Sequence, residues 1–268
     1  MTDTPQQELR RLEEDRHLNL FYCYGAREQD EEKNVLIENN LTRAFVQTVR
    51  FLSKDSRREF LKALFGRARH LMYTGDARGK VGDRAELPAD VRFEEAEAAL
   101  QGHLDRSGFQ HQRMWVVTIS RGDEPRPKKG AQLKSCPDAW LYKIDKSYCF
   151  LVESKYKPSN PINPEQIMKH GEMLGKGWNG KDWNENIAPD LIDLTWYDVL
   201  ETIGHVLPEL SSGTSGTPAI HLTPHERTIL THLWAFLDYY EYRLFRGFDL
   251  GRPWCTPVLE LFNERRPP

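Results

Sequence analysis

Apolar positions along residues 30–53 recur three to five residues apart, with Leu36, Leu41, Phe45, Thr48 and Leu52 in one stripe. That spacing predicts a helix with one inward face. Residues 56–73 carry a similar pattern and predict a second helix, with Ser56 as its N-cap. Residues 4–17 predict a short charged helix, 18–28 an aromatic segment ending in a Gly turn, and 92–104 a further helix. The Gly-, Asp- and Arg-rich segment 75–91 predicts a loop. The period then changes. RMWVVTI (113–119) reads as a strand, and PDAWLYKIDKSYCFLVESKY (137–156) reads as two strands, 138–144 and 148–156, around a polar turn. Asn163 and Pro164 predict the start of a helix over 164–175. DLIDLT (190–195) predicts a strand and 196–207 a helix. SSGTSGTP (211–218) predicts a flexible loop. Thr223 and Pro224 open a long aromatic helix over 223–245. Helices, then a small mixed sheet, then helices predict one α/β or α+β domain over 1–268.

Composition narrows the class. Hydrophobic residues make up 39% of the 268 and charged residues 29%, with a formal net charge of −3. No apolar run reaches the roughly 18 residues that span a bilayer, and the polar N-terminus is not that of a secretory signal. Cys23, Cys136, Cys149 and Cys255 are scattered without zinc spacing, which suggests reduced thiols in a cytoplasmic protein. His103 with His111, and His221 with His225, lack companion ligands. Net charge is neutral on nucleic acid, and only a local basic patch argues for it.

Charged residues inside an apolar strand carry the chemistry. Side chains alternate faces along a strand, so Leu151, Glu153 and Lys155 share one face and Phe150, Val152, Ser154 and Tyr156 the other. If the two runs pair through a turn at Lys143–Ser147, Asp138 lands opposite Glu153. Two carboxylates and a lysine then converge. Adjoining carboxylates repel unless a cation lies between them. A hard cation such as Mg²⁺ suits Asp138, Glu153 and the backbone carbonyl of Ser154. A metal-bound water is a strong nucleophile, and Lys155 is placed to orient it or to stabilise developing charge. The same residues admit plainer readings. Asp138 after Pro137 suits a turn, Glu153 and Lys155 suit the wet face of an edge strand, and Glu38 suits an exposed helix position.

The pair Pro137-Asp138 followed by Glu153-Ser154-Lys155 resembles the PD-(D/E)xK nuclease superfamily, which includes restriction endonucleases and RecB-like nucleases. The resemblance covers about residues 30–200. It implies an α/β fold with a restriction-endonuclease-like αβββαβ core, extended by N-terminal helices and by a C-terminal helical part over 219–268. It implies metal ligands at Asp138 and Glu153 and an acid on the preceding helix, matched by Glu38 in NVLIENNLTRAF. Gln166 matches the Gln of the RecB-like branch. His170 stands where that branch has Tyr, and is expected on the surface or behind the site. The activity implied is Mg²⁺-dependent phosphodiester hydrolysis, with Mn²⁺ as substitute, on DNA rather than RNA. Bacterial restriction or anti-phage defence is a fold-level analogy. Arg121, Arg126, Lys128, Lys129 and Lys134 precede Asp138 and would face a phosphate backbone; a solvated loop is the plainer alternative. Helix 223–245 is a candidate dimer or partner-subunit interface. The rival function is a non-catalytic nucleic-acid-binding or partner-binding subunit on the same fold.

Overall fold

The computed structural model describes residues 4–15, 18–22, 31–74, 78–87, 89–100, 114–120, 137–145, 147–155, 166, 170, 191–210 and 220–239. Five α-helices are α1 (Pro5–Glu14), α2 (Glu31–Phe51), α3 (Lys54–Phe65), α4 (Trp196–Val206) and α5 (Pro224–Tyr239). Seven strands are β1 (Arg69–Thr74), β2 (Arg78–Arg84), β3 (Ala96–Leu100), β4 (Met114–Ser120), β5 (Ala139–Lys143), β6 (Cys149–Ser154) and β7 (Leu191–Thr195). They form one mixed sheet in the order β2-β1-β7-β4-β6-β5-β3. Strands β4, β6 and β7 are parallel to one another, and the outer pairings are antiparallel. The chain is therefore an α/β protein.

The sheet is larger than the sequence pattern predicts, by β1, β2 and β3. The helix expected over 56–73 ends at Phe65, with Gly66 as C-cap, and the chain resumes as β1. Its N-cap is Ser53 rather than Ser56; the Ser56 amide donates to Ser53 Oγ at 3.4 Å. The expected loop 75–91 contains β2, whose sequence RGKVGDR suits a sheet edge, where charge and Gly are tolerated. The expected helix 92–104 is a short turn at Phe93–Glu95 followed by β3, the opposite edge. AEAAL has good helix propensity, but five residue pairs with β5 override it.

One face of the sheet meets the helices. Trp115, Val117 and Ile119 of β4, Phe150 and Val152 of β6, and Ile192 and Leu194 of β7 share a core with Phe45, Phe60, Leu64, Trp196, Leu233 and Phe236. Phe150 stacks on Trp115, with ring centroids 4.6 Å apart. Val116, Trp140 and Leu151, on the other face, are buried as well. The middle strands are thus covered on both sides, as parallel strands usually are.

Two capping boxes fix the later helices. Thr195 and Asp198 cap α4 reciprocally, and Thr223 and Glu226 do so at α5. Glu226 also accepts the Ser53 amide at 2.8 Å, which ties α5 to the α2–α3 corner. Residues 240–245 of the expected helix lie outside the described residues, and much of α5 packs inward while Tyr239 is exposed. Ile229, Leu230, Leu233, Trp234, Phe236 and Leu237 are all buried within the chain. His232 anchors the N-terminal segment by accepting the Leu20 amide and meeting Glu8. Among the described residues no helix is long and apolar enough to cross a membrane. Cys149 is a free, buried thiol; the other cysteines lie outside the described residues.

Candidate functional site

Strand β6 has β4 on one side and β5 on the other, so its charged end is not an edge feature. The pairing of β5 with β6 has the register expected of the hairpin: Ala139 faces Val152 and Trp140 faces Leu151. Asp138, one residue before β5, is thereby brought to Glu153. Its Oδ2 accepts the Ser154 amide at 2.8 Å.

Helix α2 is locked onto β6 by a hydroxyl pair. Thr42 Oγ1 and Ser154 Oγ lie 2.5 Å apart, and Thr42 also donates to the Glu38 carbonyl at 3.0 Å. This contact fixes the rotation of the helix. Glu38, one turn earlier, then hangs over the end of β6, where Lys155 Nζ donates to its Oε1 at 3.1 Å. The Lys155 backbone is held on both sides. Its amide donates to the Ile119 carbonyl at 2.9 Å. Its carbonyl accepts the indole N–H of Trp196 at 3.1 Å, and that indole packs edge-on against Phe45.

Lys155 Nζ also donates to Glu153 Oε1 at 2.5 Å. The second oxygen, Oε2, lies 2.8 Å from His170 Nε2. Glu153 is 1% exposed, Lys155 7% and His170 0%. Burial alone would push the Glu153 carboxyl up, but Lys155 and His170 hold it below its ordinary value. An ionised carboxylate only accepts, so His170 Nε2 carries the proton of that bond. Burial alone would lower the Lys155 ammonium. Glu153, Glu38 and Asp138 outweigh that and keep it charged well above its ordinary value. Asp138 goes the other way: burial, then the neighbouring Glu153 charge, pushes it up to about 7 against the pull of Lys155 and the Ser154 amide.

Asp138, Glu153, Ser154, Lys155 and Glu38 therefore converge. Gln166 lies in helical backbone and is half-buried, and no hydrogen bond from it to these groups is seen. One helical turn later, His170 makes the contact with Glu153, so a residue expected on the surface or behind the site belongs to it. The spacing of four from Gln166 was the available signal. Arg121, Arg126, Lys128, Lys129 and Lys134 lie outside the described residues, as do Asn163 and Pro164.

Asp193 is a further acid on the same face of the sheet. Thr118 of β4 is in register with Glu153 on one side and with Asp193 of β7 on the other. Thr118 Oγ1 donates to Asp193 Oδ1 at 2.8 Å. Burial pushes the Asp193 carboxyl up to about 6, with Asp198 adding to the shift and Thr118 and Arg69 opposing it. An acid in the middle of LIDLT is the same signal that singled out Glu153.

Among the described residues no three His, Cys, Asp or Glu side chains are arranged to hold a metal ion by themselves. The donor chemistry nevertheless suits a cation. Asp138 and Glu153 are neighbouring carboxylates, and the charge of Glu153 helps push Asp138 up. Two carboxylates with carbonyl and water oxygens are an ordinary donor set for Mg²⁺. Comparisons with family models, characterised proteins and solved structures give no match to this chain.

Proposed function

We propose that this chain is a metal-dependent nuclease that hydrolyses phosphodiester bonds, with DNA as substrate, on a restriction-endonuclease-like core. The observation that carries the reading is the convergence of Asp138, Glu153 and Lys155 from two paired strands, with Glu38 brought in from α2. The order of elements supports the core. After α2, and past the additional α3, β1 and β2, come β3, β5 and β6, paired antiparallel in that order, then helical residues 166 and 170 and β7. Strand β4 is an addition between β6 and β7. The carboxyl ends of parallel strands in open α/β sheets are the usual place for such a site.

Asp138 and Glu153 would hold Mg²⁺ or Mn²⁺, with the Ser154 carbonyl as third protein ligand. A bound divalent ion supplies charge against the phosphate and lowers the pKa of its water. The chain's own groups do the rest. Lys155, kept as an ammonium by three carboxylates, donates hydrogen bonds to the attacking water or to a phosphate oxygen. It cannot act as a base in that state. Glu38 aims Lys155, and His170 fixes the orientation of Glu153. Residues behind the site thus keep the reacting groups in one geometry.

The test is cleavage of supercoiled plasmid and of linear DNA with Mg²⁺, Mn²⁺ or EDTA, comparing wild type with Asp138→Ala and Lys155→Ala. Metal-dependent cutting by wild type, lost in both variants, is expected. Undiminished DNA binding without cutting in any metal would instead favour a non-catalytic binding subunit.

A further inference from the structure

The face of the sheet that carries Glu153 is built in layers across three parallel strands. Asp193, Thr118 and Glu153 form one layer, in register across β7, β4 and β6. Ser120 and Thr195 pair in the next layer towards the carboxyl ends. Ile192 and Leu194, which flank Asp193, point into the helix-packed core, so Asp193 faces the other way, as Glu153 does. Strands lie about 4.8 Å apart, which puts Asp193 and Glu153 roughly 10 Å apart at the backbone. The small Thr118 lies between them.

The other acids near the site have charged or amide partners. Glu153 meets Lys155 and His170. Glu38 holds Lys155, and Asp138 accepts the Ser154 amide. Asp193 is different. Its Oδ1 accepts one neutral hydroxyl, and among the described residues no ion pair holds it. Among the described residues, the charged groups that act on it are Asp198 at the start of α4 and Arg69, its register partner on β1.

We propose that Asp193 is a further catalytic residue of the nuclease site, the base that takes the proton of the attacking water. This rests on the nuclease reading above. In the step, the water oxygen bonds to phosphorus while the bond from phosphorus to the leaving oxygen breaks. The water's proton passes to Asp193 Oδ2, and the leaving oxygen takes a proton from solvent. Asp193 then releases its proton to solvent. Thr118 is the positioning residue, because its hydroxyl holds Oδ1 and so fixes the carboxylate, leaving Oδ2 to accept the proton. Burial, which pushes Asp193 up to about 6, suits a base working near neutrality.

The experiment is the pH dependence of plasmid cleavage in Mg²⁺, from pH 5 to 9, for wild type, Asp193→Asn and Thr118→Val. Wild-type kcat/KM is expected to rise through about pH 6. Asp193→Asn is expected to lose about 100-fold or more and the limb near pH 6 with it, leaving the rise near 7 where Asp138 ionises, with DNA binding unchanged. Thr118→Val keeps the carboxylate but removes the hydrogen bond that opposes the upward shift, so its limb moves to higher pH. That variant carries the test if Asp193→Asn does not fold. A readout without metal is melting in EDTA. Asp193 is raised above its ordinary 3.8, so the stability it contributes is full below that value and is lost as pH rises through about 6. Asp193→Asn flattens that loss. Wild type that cuts, with an Asp193→Asn chain that keeps its rate and its limb, overturns the proposal alone. So does an unmoved limb in Thr118→Val. A wild type that cuts no DNA in any metal overturns the nuclease reading and this proposal together.

Discussion

Lys155→Met is expected to cost about 3–5 kcal/mol of folding stability at pH 7 and to abolish metal-dependent cleavage. Methionine keeps the length of the stem and removes the charge. The ammonium it replaces is bonded to Glu153 and Glu38 and lies close to Asp138. Removing one partner of a buried ion pair leaves an uncompensated buried charge, which sets the size of the loss. The pH dependence identifies the cause. Glu153 is held below its ordinary 4.5 by Lys155 and His170 against burial. A depressed carboxyl contributes stability above its unfolded value, and that contribution is lost as pH falls through the folded value. The gap between wild type and variant is therefore full at pH 7 and narrows below about 4.5. Urea unfolding at pH 7 and pH 4 measures both gaps. Equal gaps at the two pH values would mean that packing, not charge, is what Lys155 supplies.

Asp138→Asn is expected to do the reverse for stability and the same for activity. The Asp138 carboxyl is raised from 3.8 to about 7, first by burial and then by Glu153. A raised carboxyl is held more firmly as the acid in the folded state. Its contribution to stability is full below the unfolded value near 3.8 and is lost as pH rises through about 7. Asparagine imitates the neutral acid and keeps an oxygen for the Ser154 amide. In EDTA at pH 8 the variant should be more stable than wild type by about 2 kcal/mol, a figure discounted for partial exposure. The difference should vanish below pH 4. Cleavage should be lost at every pH. A site that weakens the fold until its ligand arrives is a familiar trade of stability for function.

Much of this arrangement is legible in the residues themselves. The polar turn between two β-rich runs dictates the register that brings Asp138 to Glu153, and Ala139 does face Val152. The helical stripe through Leu41 and Phe45 turns Glu38 inward, where Lys155 meets it. Helix caps at Thr195 and Thr223 follow from local chemistry. The edge strands are not legible, because RGKVGDR and AEAAL have no strand periodicity of their own. Pairing with β1 and β5 makes them strands. His170 and Asp193 are hidden for a related reason. Each gains its meaning from a neighbour far away in the sequence, Glu153 for His170 and Thr118 for Asp193. Of the aromatics of α5, Trp234 and Phe236 belong to the core and Tyr239 is exposed, a division that the sequence pattern alone does not make.

Asp138 and Glu153 together are proposed to form a cation site. Its most direct test is the melting temperature of the metal-free chain at pH 7.5, titrated with Mn²⁺, for wild type and Asp138→Asn. A ligand that binds only the folded state raises the melting temperature with concentration. The account predicts a steady rise for wild type and little or none for the variant, which should start higher and be overtaken. A wild type that Mn²⁺ leaves unmoved, or a variant that rises in parallel with it, would contradict the claim.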